Sequence, residues 1–189
     1  MKLSKWILSS LLIIRVAHPI DLKAEMEVFP KCILAPDGSG VIIWSGIDIS
    51  GKTIIQAANR SASGILSNIF TISDDVTGTS VINSKPMLYS NGNGDVVVIW
   101  QFFDVDLFGT LVASMLPFGE TIWNSQVISN NLEDVQNIDE HRLAINNNGN
   151  VLLTWSSVNR SDRTIKKVWI SDTTIGTSPI WNTKQNIIP

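Results

Sequence analysis

Three stretches of this chain share one pattern, and that pattern narrows the possible folds more than any other feature. Pro36-Asp-Gly-Ser-Gly-Val-Ile-Ile-Trp44, Asn91-Gly-Asn-Gly-Asp-Val-Val-Val-Ile-Trp100 and Asn146-Asn-Asn-Gly-Asn-Val-Leu-Leu-Thr-Trp155 each place a glycine six residues before a tryptophan. The pairs are Gly38 and Trp44, Gly94 and Trp100, and Gly149 and Trp155, so the copies stand 56 and 55 residues apart. Asp, Asn and Gly supply the positive φ that a tight hairpin turn demands. The run that follows is apolar without alternation, which predicts a strand covered on both faces.

The repeat extends beyond the turn. In the first unit, strands are expected over Val28–Ala35 (broken by Pro30), Val41–Trp44, Thr53–Ala58 and Ile69–Ser73. Pro86 stands 56 residues after Pro30 and restarts the cycle, with strands at Met87–Tyr89, Asp95–Trp100, Thr110–Met115 and Trp123–Ser129. The third unit offers Arg142–Ile145, Val151–Trp155, Thr164–Ile170 and Trp181–Ile188, and Asn68–Ser73 is echoed by Asn124–Ser129. Polar, turn-rich linkers, Asp74–Lys85 and Asn130–Glu140, separate the units. Four short strands at such a period are the signature of a β-propeller blade, which cannot bury both faces alone and stacks on its neighbours. The sequence therefore predicts an all-β, β-propeller-like domain over 25–189, with four-stranded blades at about 28–84, 85–140 and 141–189.

The unit of turn, apolar run, Trp, variable loop, strand and Trp-Asn-x-x-Val-Ile-Ser tail resembles the blade repeat of bacterial secreted β-propeller proteins. That group is similar in outline to WD40-like and sialidase-like propellers, and the resemblance covers about residues 28–189. It implies a fold that carries enzymes, lectins and scaffolds alike. Closed propellers use about four to eight blades, and this chain supplies three repeats. An open or partial propeller would expose apolar end faces and strand edges that invite association. The chain is accordingly expected to be a homo-oligomer, such as a dimer of six blades, or part of a larger propeller; a self-closed, sandwich-like arrangement is the third alternative.

At the N-terminus, Lys2 and Lys5, the apolar Trp6–Ile14, and Leu22-Lys23-Ala24 before Glu25 read as a signal peptide over 1–24. The apolar run is too short for a bilayer, which needs about 20 residues. Export to a secreted, periplasmic or cell-surface location, with no stable membrane span, is the expectation. The net charge is −3, and −6 once residues 1–24 are set aside, with no basic run, which excludes nucleic acid as the expected partner. At 44 % apolar and 16 % charged residues the chain is suited to a packed core. Cys32 is the single cysteine and reads as a buried strand thiol.

Catalytic chemistry finds little support. Asn91-Gly-Asn-Gly-Asp95 is oxygen-rich, yet its first sister copy has one carboxylate and its third none, so turn chemistry explains all three; no metal or cofactor is expected. The sialidase Asp-box puts glycine three residues before tryptophan, not six. A sialidase site would also need more than Arg60, Arg142, Arg160, Arg163 and Tyr89, all the arginines and tyrosines outside the signal. His141 is the single histidine outside the signal and sits where Pro30 and Pro86 stand in the other units, a blade-junction position. Trp44, Trp100 and Trp155 read as packing between blades.

The loops after those tryptophans, Gly46–Gly51, Gln101–Gly109 and Ser156–Arg163, should emerge on one face, where a rigid scaffold carries function. The middle loop is the most apolar, and Phe102, Phe103, Asp104, Asp106 and Phe108 form the candidate contact surface. The competing reading is that the phenylalanines prolong the strand. The leading function is a noncatalytic binding or assembly module that presents these loops to a protein or glycan. The alternative is a glycan-acting hydrolase with Asp104 and Asp106 as its acids. Asn59-Arg-Ser61 and Asn159-Arg-Ser161 also fit the glycosylation sequon.

Overall fold

A computed structural model describes residues 29–73, 82–83, 85–103, 109–130, 134–159, 166–176, 179–182 and 184–187. The signal segment expected over 1–24 lies outside them. All regular structure among the described residues is strand, and no helix there is long and apolar enough to cross a membrane.

The first sheet is an antiparallel meander of β1 (Lys31–Leu34), β2 (Gly40–Ile47), β3 (Thr53–Arg60) and β4 (Phe70–Thr71), in that order. The second contains β5 (Ile82–Asn83), β6 (Met87–Ser90), β7 (Val96–Phe103), β8 (Gly109–Leu116) and β9 (Asn124–Asn130). Both β5 and β6 pair with the same edge of β7, at Phe102–Phe103 and Val96–Ile99, so they share one position and the sheet is four strands wide. The third runs β10 (Asp134–Ile145), β11 (Asn150–Asn159), β12 (Lys166–Thr174) and β13 (Gln185–Asn186).

One residue type accounts for the difference between the second and third inner strands. Pro86 has no N–H to give to a ladder, and the inner strand of the second sheet is split there into β5 and β6. His141 holds the same place in the third unit, and β10 runs through it, with a register irregularity between Asn137 and Arg142. The inner strands β1, β6 and β10 lie side by side. Three four-position antiparallel sheets stacked by their faces, with first strands adjacent, make an open, propeller-like fold.

The turns hold as their residue types require. The Gly38, Gly94 and Gly149 φ angles are +85°, +94° and +76°. The side-chain oxygen of Asn91 accepts the N–H groups of Asn93 and Asp95, each at 3.0 Å, and Asn146 does the same for Asn148 and Asn150 at 2.9 and 3.0 Å. In the first turn Asp37 Oδ1 accepts from the Ser39 hydroxyl at 2.6 Å and the Ser39 N–H at 2.9 Å.

Two apolar layers fill the stack. Val41, Ile43, Ile55 and Ala57 of the first sheet meet Val96, Val98, Trp100 and Val112 of the second. Val97, Ile99, Leu111 and Ala113, on the opposite face of the second sheet, meet Val151, Leu153 and Trp155 of the third. The unalternating run of β7 is thereby explained, because its two faces serve two layers. Trp100 and Trp155 are 0 % and 1 % exposed, the interblade packing expected of them.

The first sheet departs from expectation. Its Val41 and Ile43 are buried, but Ile42 and Trp44 are only partly so, and Cys32 is exposed instead of buried. Cys32 pairs with Ile42, so both share the face that in the second sheet packs on a preceding blade. No described residue forms a sheet in front of the first one. Trp44 compensates by donating its indole N–H to Gln56 Oε1 at 2.9 Å. Strand limits also shift: β4 and β13 are two residues each, shorter than Ile69–Ser73 and Trp181–Ile188, while β11 continues to Asn159.

Candidate functional site

The expected contact surface is only partly placed. Phe102 and Phe103 are the last residues of β7, their backbones paired to Thr110 and Gly109 of β8 and to Asn83 and Ile82 of β5. They prolong the strand rather than form a free loop. Asp104, Asp106 and Phe108 lie outside the described residues, so of the five only the Phe102 and Phe103 backbones are placed. Among the described residues no group of three or more His, Cys, Asp or Glu stands close enough to hold a metal ion. His141 is buried in β10, its ring edge-on to Tyr89 of β6 with centroids 6.3 Å apart. Burial raises the Tyr89 phenol above its ordinary pKa, against a smaller opposing effect of Arg142.

A concave site does exist at the opposite end of the strands, between the first two sheets. Its volume is about 490 Å³. The floor is apolar: Val41, Val96 and Leu116, all buried, with Ile33 and Phe70 packed beside them. The turn and loop that close each sheet at this end supply the walls, with Leu66 on one side and Phe118 on the other, 46 % and 50 % exposed. Asp37, Arg60 and Glu120 stand around the cleft.

Asn59 gives the cleft its polar point. It pairs with Val41 across β2 and β3, on the face turned to the second sheet. Its backbone is tied down: its N–H donates to Ser67 Oγ at 2.9 Å and its carbonyl accepts the Ser67 N–H at 2.8 Å. The side-chain Oδ1 is buried and meets no hydrogen-bond donor among the described residues. A buried acceptor left unmet costs about 1–3 kcal/mol.

Arg60 braces the adjacent turn by donating to the Gly38 carbonyl. The calcium-like oxygens of the second turn are likewise engaged. Asp95 Oδ2 accepts from Asn91 Nδ2 at 2.7 Å and Asp95 Oδ1 from the Phe118 N–H at 2.9 Å. That last bond connects the β6–β7 turn to the cleft wall.

Sequence reasoning missed this site because its lining comes from segments far apart in the chain. One signal was available: Pro117-Phe118-Gly119 puts a bare aromatic at a turn tip, where solvated residues are the rule.

The carboxylates at the turns make an acid-range prediction. The Ser39 hydroxyl, then its amide, hold Asp37 below its ordinary pKa, and the Ser50 hydroxyl and Lys52 amide do the same for Asp48. A depressed folded-state pKa gives stability that is complete above the unfolded value and lost as pH falls through the folded one. Both turns should therefore loosen below about pH 4. Carboxyl NMR titration is expected to show Asp37 moving upward in Ser39→Ala while Asp48 stays in place.

The sheets and their stacking define the class of this protein as propeller-like and all-β. Neither a family model nor a curated protein matches the sequence. Among solved structures the chain is similar to the Hadza microbial sialidase Hz136, at 8 % identity and a TM-score of 0.49. The match covers 84 % of this chain and 37 % of that one, so the chain spans a little over a third of the sialidase's length.

Proposed function

We propose that this chain is an exported, noncatalytic binding module, and that the cleft between its first two blades takes an apolar side chain of a protein partner. The buried, unmet Asn59 Oδ1 beside a floor of Val41, Val96 and Leu116 carries this reading. Such a site rewards a group that is apolar over most of its surface and offers one N–H or O–H. Tryptophan and tyrosine side chains have that character. A volume of about 490 Å³ lies within the range of about 300–1,000 Å³ usual for sites that enclose a ligand.

Indole is the direct probe. In methyl-detected NMR it is expected to shift Val41, Val96 and Leu116, with N-methylindole, which lacks the donor, binding about fivefold to tenfold more weakly. Equal affinity of the two probes would remove the role given to Asn59. An absence of shifts at millimolar indole would remove the cleft as a binding site. Turnover on a panel of glycans would instead favour a hydrolase.

A further inference from the structure

The two internal junctions of the stack are directional, and among the described residues the outer faces of the first and third sheets each repeat one half of such a junction without a sheet packed on it. In the third sheet Leu143, Ile145, Leu153 and Trp155 form the face that packs onto the second sheet. The residues at the same register in the first sheet are Cys32, Leu34, Ile42 and Trp44. There Cys32 is exposed, Leu34 is 67 % exposed, and Ile42 and Trp44 are partly exposed.

The complementary half lies on the far side of the third sheet. Leu152, Thr154, Val168 and Ile170 hold the positions that Val97, Ile99, Leu111 and Ala113 hold in the second sheet, where they receive Trp155. Leu152 is 44 % exposed, and Thr154, Val168 and Ile170 are partly exposed.

We propose that the Trp44 face of one chain packs on the Leu152–Ile170 face of a second copy, head to tail and twice over, closing a ring of six blades from two chains. The proposed contact repeats the face pairing that already joins the first sheet to the second and the second to the third. The chain carries both halves, and a contact of unlike faces makes a ring when the rotation closes.

Arg60 occupies the register position of Leu116, which faces the first sheet, and Asp172 occupies that of Asn59. Leu116 and Asn59 line one cleft at the first junction. Repeating that junction between two chains brings Arg60, whose guanidinium also donates to the Gly38 carbonyl, to the register position facing Asp172, whose Oδ2 also accepts from Asn182 Nδ2 at 3.0 Å, so opposite signs meet at one end of the joined faces. The ring can form whether or not the cleft has an occupant.

The test uses the whole chain. Light scattering over a concentration series should show a particle of twice the chain mass. The Cys32 thiol, on the joined face, should react more slowly with a thiol reagent as the dimer forms. Trp44→Arg should abolish the dimer and restore fast thiol reaction. Arg60→Asp and Asp172→Arg should each weaken the dimer about tenfold, and the double reversal should bring it back to within about threefold. That rescue separates a lost contact from a misfolded variant.

A monomer at concentrations where a micromolar Kd would populate the dimer overturns the proposal. So does a dimer indifferent to all three substitutions, or a polymer that grows with concentration. A monomer whose Cys32 resists the reagent overturns it too, by showing that another part of the chain covers the face.

Discussion

Trp100→Ala is expected to cost about 3–5 kcal/mol, as removal of a fully buried large side chain does, while Trp44→Ala in dilute solution costs about 1–2 kcal/mol. The two tryptophans end the same motif, but Trp100 is sealed between two sheets at 0 % exposure and Trp44 is not. Truncating Trp100 opens a hole against Val98, Val112 and the first sheet that neither rigid sheet can collapse to fill. Truncating Trp44 removes contact area on one side and the indole bond to Gln56. Urea unfolding of both variants at low protein concentration measures the difference. Equal losses would mean that the Trp44 face is as well covered as the Trp100 face in the isolated chain.

Gly94→Ala is the second large effect, expected at about 2–4 kcal/mol, against about 1 kcal/mol for Gly38→Ala. Both glycines sit at positive φ, where a side chain adds backbone strain. Only Gly94 adds crowding. A β-carbon there would stand 2.6 Å from the Phe118 ring and 3.0 Å from the Ala35 β-carbon, whereas at Gly38 the nearest atom is a carbonyl oxygen at 3.7 Å. Phe118 is exposed and could swing away, so part of the loss should reappear as a changed cleft. The Gly94→Ala chain is expected to bind indole more weakly than the Gly38→Ala chain, in proportion to that displacement. Similar stabilities for the two variants would show that turn strain alone sets the cost.

Much of the strand order was legible because the repeat is built from residues with few uses. Gly94 with Asn91 and Asp95 makes a hairpin turn, and Val96 to Ile99 needs two covered faces. Coverage itself was not legible. Ile42-Ile43-Trp44 and Val98-Ile99-Trp100 are nearly the same string, and what separates Trp44 from Trp100 is position in the stack. Cys32 illustrates this, since Leu88 at its register is packed into the core that the second sheet shares with the first, while Cys32 is exposed.

The candidate site was less legible still. The apolar Val96–Phe103, broken only by Gln101, already has the composition of one long strand, and β7 takes in the first three residues of the loop expected over Gln101–Gly109. The cleft draws Val41 and Asn59 together with Val96, Leu116 and Phe118, residues joined by stacking and by no motif.

The turns at the cleft end differ in what joins them. Between the second and third blades Asn91 Nδ2 donates to the Asn146 carbonyl at 2.9 Å, the Gly92 N–H to Asn147 Oδ1 at 3.0 Å, and Asn93 Nδ2 to the Asn147 carbonyl. Between the first and second blades the meeting is of carbon with carbon, Ala35 and Phe118 around Gly94. A hydrogen-bonded seam fixes the direction of its contact as well as its distance, which a meeting of carbon with carbon does not. At this end the later two blades are therefore keyed in one register by asparagine, while the first meets the second through carbon and is bonded to it elsewhere by the Ser125 hydroxyl, which donates to the Ile72 carbonyl at 2.8 Å.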